Sequence, residues 1–231
     1  MRALLAGRFT EAQAHAEEAV ALQPTPEFFE GLAVQLFALR YLQGRLDEVK
    51  PAVAAWAEQN PRVGWTIGHA MLLTMTGEAD AGREMLEPFV AARFENVPRD
   101  ELYFLTLSTA TMAALRLGDR VMSEVLYELL APQASRVIVA AEGALCWGSI
   151  HRFLGPLAVV GEQPDLAAMH FEAAIAAHER LGALPFLAAD RIAFADLLDA
   201  STGDRVRSGE LRRTGLALAR QLGLAVAATA I

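Results

Sequence analysis

The sequence predicts an all-α protein, an α-α superhelix of about six helix hairpins forming a single domain over residues 1–231. Three observations predict it. Hydrophobic residues make up 54% of the chain and aromatics only 7%, so the apolar share is mostly Ala, Leu and Val, a composition suited to close helix contacts. Alternating runs of Val, Ile, Thr and Tyr of the strand type are not evident. A glycine followed by a polar or charged residue and then a helix recurs at Gly7, Gly44, Gly77, Gly118, Gly161 and Gly203, at intervals of 37, 33, 41, 43 and 42 residues. A glycine closing one helix just before a capping residue opens the next is a helix-hairpin turn.

The first hairpin lacks most of its leading helix, since only Met1–Ala6 precede Gly7. Each turn is followed by a helix in one register. Five residues on (six after Gly161) comes Ala12, Val49, Gly82, Ser123, Ala167 or Ser208. Four further comes Ala16, Val53, Leu86, Tyr127, Phe171 or Arg212, and three more Ala19, Trp56, Phe89, Leu130, Ala174 or Gly215. These offsets share one helical face, and Arg212 departs from its apolar character. Pro24 and Pro61 stop the first two of these helices. Leading helices are placed at about 26–42, 61–76, 99–116, 137–160 and 185–200. Pro51 lies near a helix start, while Pro88 and Pro156 should each kink a helix. The cleanest stripe is in Pro164–Gly182, where Ala167, Phe171, Ala174, His178 and Leu181 alternate small and large side chains. The closing AVAATAI has no polar cap. Both ends read as cut from a larger protein or covered by a partner, which includes a homodimer formed through the uncapped ends.

Charge and motifs narrow the function. The net charge is −8 and Lys50 is the only lysine, so scattered arginines give no footprint for nucleic acid or an anionic membrane. Cys146 is the only cysteine and reads as a buried small hydrophobe. The start MRALLAG is too short for a signal-peptide core, and no apolar run approaches the roughly 18 residues of a membrane span, so a cytoplasmic setting is expected. GxxxxGK[ST], HExxH and a strand-borne GxGxxG do not occur, so no cofactor or metal is expected. His170 and His178 lie eight apart with no third histidine in register, and read as packed side chains. Ser149 and His151, two apart on the expected helix, point about 200° apart and cannot act as nucleophile and base.

The frame resembles the tetratricopeptide repeat. Gly7–Pro24 (GRFTEAQAHAEEAVALQP) matches its second half through the turn glycine, Phe9, Ala12, Ala19 and the terminal proline. Gly44–Pro61 fits the same frame, and Leu154–Gly155 is similar to the leucine–glycine pair of its first helix. Over about Trp147–Leu224, HFEAAIAAHERLGA and ALARQLGL resemble the C-terminal helical region of bacterial ATPase-containing regulators of the LuxR and MalT kind, and of ATPase-linked cyclases. The resemblance implies a right-handed stack whose first helices line a concave face. It implies a non-catalytic scaffold that binds a peptide, a protein segment or a small effector there. The partner could be another part of a larger signalling protein.

On that placement the groove is lined by Gln35, Tyr41, Thr74, Ser108, Met112, Ser149, Arg152 and Asp196, with Thr109 among them and Val34, Ala38, Ile67 and Met71 alongside. Arg152 could hold a carboxylate or phosphate by its fork. It could instead pair internally with Glu142, Asp190 or Asp196. Trp56, Trp65 and Trp147 read as core. Two further readings are a free-standing adaptor or oligomerisation scaffold, and an enzyme, for which no converging polar groups are evident.

Overall fold

The computed structural model describes residues 1–59, 62–201 and 203–225. Among these the chain is all-α apart from one small hairpin. Twelve helices follow in order: α1 (Arg2–Leu5), α2 (Phe9–Leu22), α3 (Pro26–Leu42), α4 (Lys50–Gln59), α5 (Val63–Met75), α6 (Ala79–Ala91), α7 (Tyr103–Leu117), α8 (Arg120–Leu130), α9 (His151–Val160), α10 (Pro164–Leu181), α11 (Leu184–Ser201) and α12 (Arg205–Leu222). Between α8 and α9 lie β1 (Val137–Ala140) and β2 (Leu145–Ser149), paired antiparallel.

The turns explain the order. Gly7, Gly44, Gly77, Gly118 and Gly203 all have positive φ, as the left-handed residue that reverses a chain after a helix requires. At the fifth turn this role passes from Gly161 to its neighbour Glu162, at φ 57°. Asp119 caps α8 by accepting the N–H of Met122, and Asp204 caps α12 by accepting that of Arg207. Charges stitch successive turns: Lys50 pairs with Glu78, Arg83 with Asp119, and Arg120 with Glu162.

The expected register is the packed one. Ala12, Gly82, Ser123, Ala167 and Ser208 are buried, as are Val53, Leu86 and Phe171 four residues after their partners. Along α10, Ala167, Phe171, Ala174 and His178 are buried, while Leu181 at the end is 38% exposed. The small residues let α9 approach closely. A Cβ on Gly155 would lie 2.9–3.0 Å from the Phe171 ring, which stacks on Phe194 at 5.8 Å. Pro51 falls in the first turn of α4, and Pro88 and Pro156 lie inside α6 and α9. Pro24 follows the end of α2, and Pro61 lies outside the described residues.

The helix expected at 137–160 is the main correction. Its first half is the β-hairpin, with a single 3-10 turn at Ala141–Gly143, and only His151–Val160 is α-helical. Val137, Ile138, Val139 and Ala140 alternate exposed and buried, the period-2 signature of a strand. Gly143 and Gly148 adopt φ of 88° and 87°, incompatible with a helix. The strand-type run that composition hid is therefore RVIVA. All five residues of β2 are buried, and β2 packs against α3 and α10 while one edge of β1 stays exposed.

The two ends of the array meet. The short α1 buries Ala3, Leu4 and Leu5 and packs on α11. Leu222 covers Gly7, and the Ala225 N–H donates to the Leu42 carbonyl at 3.0 Å. The residues after Ala225, on which the expectation of an uncapped end rests, lie outside the described residues.

Candidate functional site

Polar chemistry inside this apolar fold concentrates around β2 and the start of α9. Trp147 is at its centre and fully buried. Its ring meets Phe37 at 5.9 Å and Tyr41 at 5.6 Å from α3, and Phe186 at 5.5 Å from α11. The Arg152 guanidinium lies over the rings of Phe186, Phe153 and Trp147, at 4.4, 4.8 and 5.4 Å from their centroids. Arg152 is 2% exposed. Its Nη1 donates to the Trp147 carbonyl at 3.4 Å, a long bond, while Nε and Nη2 have no hydrogen-bond partner. The Trp147 Nε1 is also buried without one, while the Tyr41 hydroxyl lies against the Arg152 guanidinium as its acceptor, too loosely for a hydrogen bond of normal geometry. Burial pushes the Arg152 pKa down, opposed by Tyr41 and by the Asp190 charge. Burial pushes the Tyr41 pKa up, opposed by Arg152. A buried charge without a hydrogen-bonded counterion is costly. Three aromatic faces offset part of that cost for Arg152.

Beside it, His178 links three elements. Its Nε2 accepts the backbone N–H of Ser149 at 2.9 Å, so its Nδ1 carries the proton and donates to Asp190 Oδ2 at 2.5 Å. The imidazole approaches β2 only because residue 148 is glycine: a Cβ there would lie 2.6 Å from Nε2. A histidine oriented by a carboxylate is half of a catalytic triad, but the nitrogen that would act as a base is occupied by a backbone amide.

A third constellation joins α8, α9 and α10. His151 Nδ1 and His170 Nδ1 are 2.9 Å apart, so one ring donates and the other accepts. The Tyr127 hydroxyl lies 3.0 Å from His170 Nε2. Burial, with His151 alongside, lowers the His170 pKa to about 4, and burial lowers that of His151. No group of three or more His, Cys, Asp or Glu that could hold a metal occurs among the described residues.

The predicted groove residues are placed as follows. Gln35, Tyr41, Thr74, Ser108, Met112, Ser149 and Arg152 are all buried, and Asp196 is exposed. Gln35 donates to the Ala144 carbonyl at the hairpin tip, and Tyr41 packs on Trp147, so the chain's own hairpin covers them. The hydroxyls of Thr74, Ser108 and Thr109 turn back onto the carbonyls of Met71, Leu105 and Thr106. Ser149 ends a strand rather than sitting mid-helix, and its Oγ accepts the His151 backbone N–H at 3.3 Å. Of the carboxylates weighed for Arg152, Asp196 pairs with Arg212 and Asp190 with His178, and no ion pair reaches Arg152 among the described residues. Trp147 is core as expected, while Trp56 and Trp65 are half-buried and pack edge-on at 6.0 Å. Cys146 is buried, and burial raises its thiol pKa.

Of the openings among the described residues, two border the leading helices and the hairpin tip. An apolar cleft of about 60 Å³ lies between α3, α5 and α7, lined among others by Val34, Phe37, Trp65, Gly68, Leu105 and Thr109. A larger hollow of about 390 Å³ lies between α2, α3 and the hairpin tip, with Gln35, Glu27, Glu30, Glu101 and Glu142 on its walls. Residue reading missed the His151–His170 contact and the joining of Asp190 to His178. Both depend on how helices rotate against each other, and no local spacing encodes that.

No protein-family model, curated protein or solved structure matches the chain. No helix among the described residues is long and apolar enough to cross a membrane.

Proposed function

We propose that this chain is a non-catalytic interaction or effector-sensing scaffold of tetratricopeptide-like helix pairs, working in the cytoplasm as an arm of a larger signalling protein. The observation that carries the reading is the cleft shared by three successive leading helices, α3, α5 and α7, and lined almost wholly by apolar side chains and glycine. Its volume, about 60 Å³, admits the tip of one aliphatic or aromatic side chain. A peptide or helix laid across the three helices would anchor one such residue there. The occupied Nε2 of His178 supports a positioning role for the His178–Asp190 pair rather than a chemical one.

The test uses Gly68→Leu. Nothing lies within 4 Å of a Cβ at Gly68, which lines the cleft, so a larger side chain starts there without strain and occupies the cleft. Replacing a helical glycine should leave stability unchanged or raise it by about 0.5–1 kcal/mol. Peptides selected on the wild-type chain from a random library should lose binding to Gly68→Leu by at least about tenfold, a typical loss for one anchor residue. Equal binding to both forms would place recognition elsewhere. A library that yields no binder would count against the scaffold reading itself.

A further inference from the structure

We propose that the outer edge of β1 accepts an extended acidic segment of a partner protein, added to the hairpin as a third strand. This surface is separate from the α3–α5–α7 cleft, so the inference goes beyond the reading above and stands without it.

The first ground is the open edge. The Ile150 N–H donates to the Arg136 carbonyl, and the Ser149 N–H turns away from β1 to His178. Val137, which pairs with Ser149, therefore points its own N–H and carbonyl away from β2. The bulge between Ile138 and Val139 puts its extra residue, Trp147, in β2, so β1 keeps its alternation and Val139 repeats the outward pose. No hydrogen bond among the described residues takes up these outward groups. The side chains of Val137 and Val139 are 36% and 49% exposed, while Ile138 and Ala140 are buried. A row of unpaired backbone groups beside exposed valines is a template for one more strand.

The second ground is charge. β1 follows directly on Arg136, whose guanidinium lies over the Phe104 ring at 5.7 Å, and Arg99 lies over the Tyr103 ring at 5.5 Å. The two rings are neighbours on α7, 5.2 Å apart. Arg99, Tyr103 and Phe104 line a hollow of about 240 Å³. Neither arginine forms an ion pair among the described residues, and the carboxylates nearby are answered elsewhere. Glu128, on the wall of the hollow, pairs with Arg93 at 2.6 Å, and Asp100 and Glu101 turn to Arg62 at 4.0 and 3.9 Å. A guanidinium laid on a ring keeps the N–H groups at its rim for a carboxylate. The head of β1 therefore presents two held, unpaired positive charges in a chain whose net charge is −8.

Edge and charge together define the occupant. A segment running antiparallel to β1, the more stable pairing, puts its C-terminal end beside Arg136. Carboxylates at that end meet Arg136 and Arg99, and β-branched residues before them cover Val137 and Val139. A second copy of this chain is a poorer match: its own strand, RVIVA, has arginine at its head and no carboxylate.

The probe is a fluorescein-labelled synthetic peptide, Thr-Val-Thr-Val-Thr-Glu-Glu with an amidated C-terminus, titrated with the full chain and followed by fluorescence anisotropy in low salt. Binding should saturate with a Kd below about 1 mM. Arg99→Glu combined with Arg136→Glu should weaken it at least about tenfold, and the difference should shrink in about 1 M salt. Val139→Pro should abolish binding, since proline is tolerated on an edge strand where the N–H faces solvent but blocks a new ladder. If that variant does not fold, the peptide carries the same test. N-methylation of the alternate peptide residues that face β1 should abolish binding, and N-methylation of the other set should leave the Kd within about twofold. The proposal is overturned if the peptide does not saturate, if the charge-reversed chain binds it equally, or if both methylated sets bind alike. It is also overturned if the chain sediments as a dimer that Val139→Pro dissolves, because β1 then belongs to a second copy. Gly68→Leu does not touch β1 and should bind this peptide as the wild type does, so this proposal and the cleft reading fail separately.

Discussion

Acid should weaken this fold through His170. The residue is 3% exposed, its Nδ1 is 2.9 Å from His151 Nδ1, and its Nε2 is 3.0 Å from the Tyr127 hydroxyl. Its pKa falls from 6.5 to about 4 on folding, because burial penalises the cation and His151 lies alongside. A folded pKa below the unfolded one means that the unfolded chain binds the proton more readily. The unprotonated ring therefore costs nothing above pH 6.5, and stability is lost as pH falls from there towards 4. Two-state linkage with these two values gives a loss of about 2 kcal/mol at pH 5 and about 3 kcal/mol at pH 4, relative to neutral pH. His151, whose pKa is also lowered, adds to the loss in the same direction. The assay is urea unfolding at pH 7.5, 6, 5 and 4 for the wild type and for His170→Gln, which keeps polar atoms in place but does not titrate. The variant should lose about 3 kcal/mol less than the wild type between pH 7.5 and pH 4. Equal losses would show that His170 does not carry the acid sensitivity. A proton NMR titration of its ring with a midpoint near 6.5 would refute the buried geometry.

Two more predictions concern packing. Gly148→Ala places a Cβ 2.6 Å from His178 Nε2 at a residue with φ of 87°, so it should cost at least about 2 kcal/mol in denaturant unfolding by breaking the Ser149–His178 bond and straining the backbone. Phe171→Ala empties the space between Gly155 and Phe194 and should cost about 3–5 kcal/mol, with no change in oligomeric state on size exclusion.

The helix pairs were legible because their signals are local. A left-handed glycine, an acidic cap and a stripe at 3.6-residue spacing each lie within one turn, and α3 and α11 fall within about a residue of where those signals put them. The hairpin was not legible for the same reason. Four residues of alternation in Val137–Ala140 are short against a chain whose Ala and Leu suit helices everywhere, and the stripe expected over 137–160 absorbed them. The decisive information was in Gly143 and Gly148, which only a turn and a close approach need. The groove inherited this error. Gln35, Tyr41 and Arg152 meet the hairpin, at Ala144 and Trp147, and Ser149 belongs to it. Arg152 was recognised as the unusual charge, whereas its surroundings depend on Trp147 and Phe186, five residues before it and 34 after.

Placing the polar groups at the hairpin has a physical logic. Helix faces built from Ala and Leu resemble one another, so packing alone discriminates weakly between alternative registers. A buried hydrogen bond that is lost on sliding leaves an unsatisfied donor or acceptor, which costs more than the bond contributes when made. Three bonds between distant parts of the sequence do that work. Gln35 reaches Ala144 across 109 residues, Ser149 meets His178, and the Ala225 N–H closes onto Leu42. Together they fix α3, β2, α10 and the end of α12 in one arrangement. Nearest-neighbour stacking alone would let terminal pairs unravel independently. These ties join α3 both to the hairpin and to the chain after α12, so the two ends are held together rather than each by its neighbour alone.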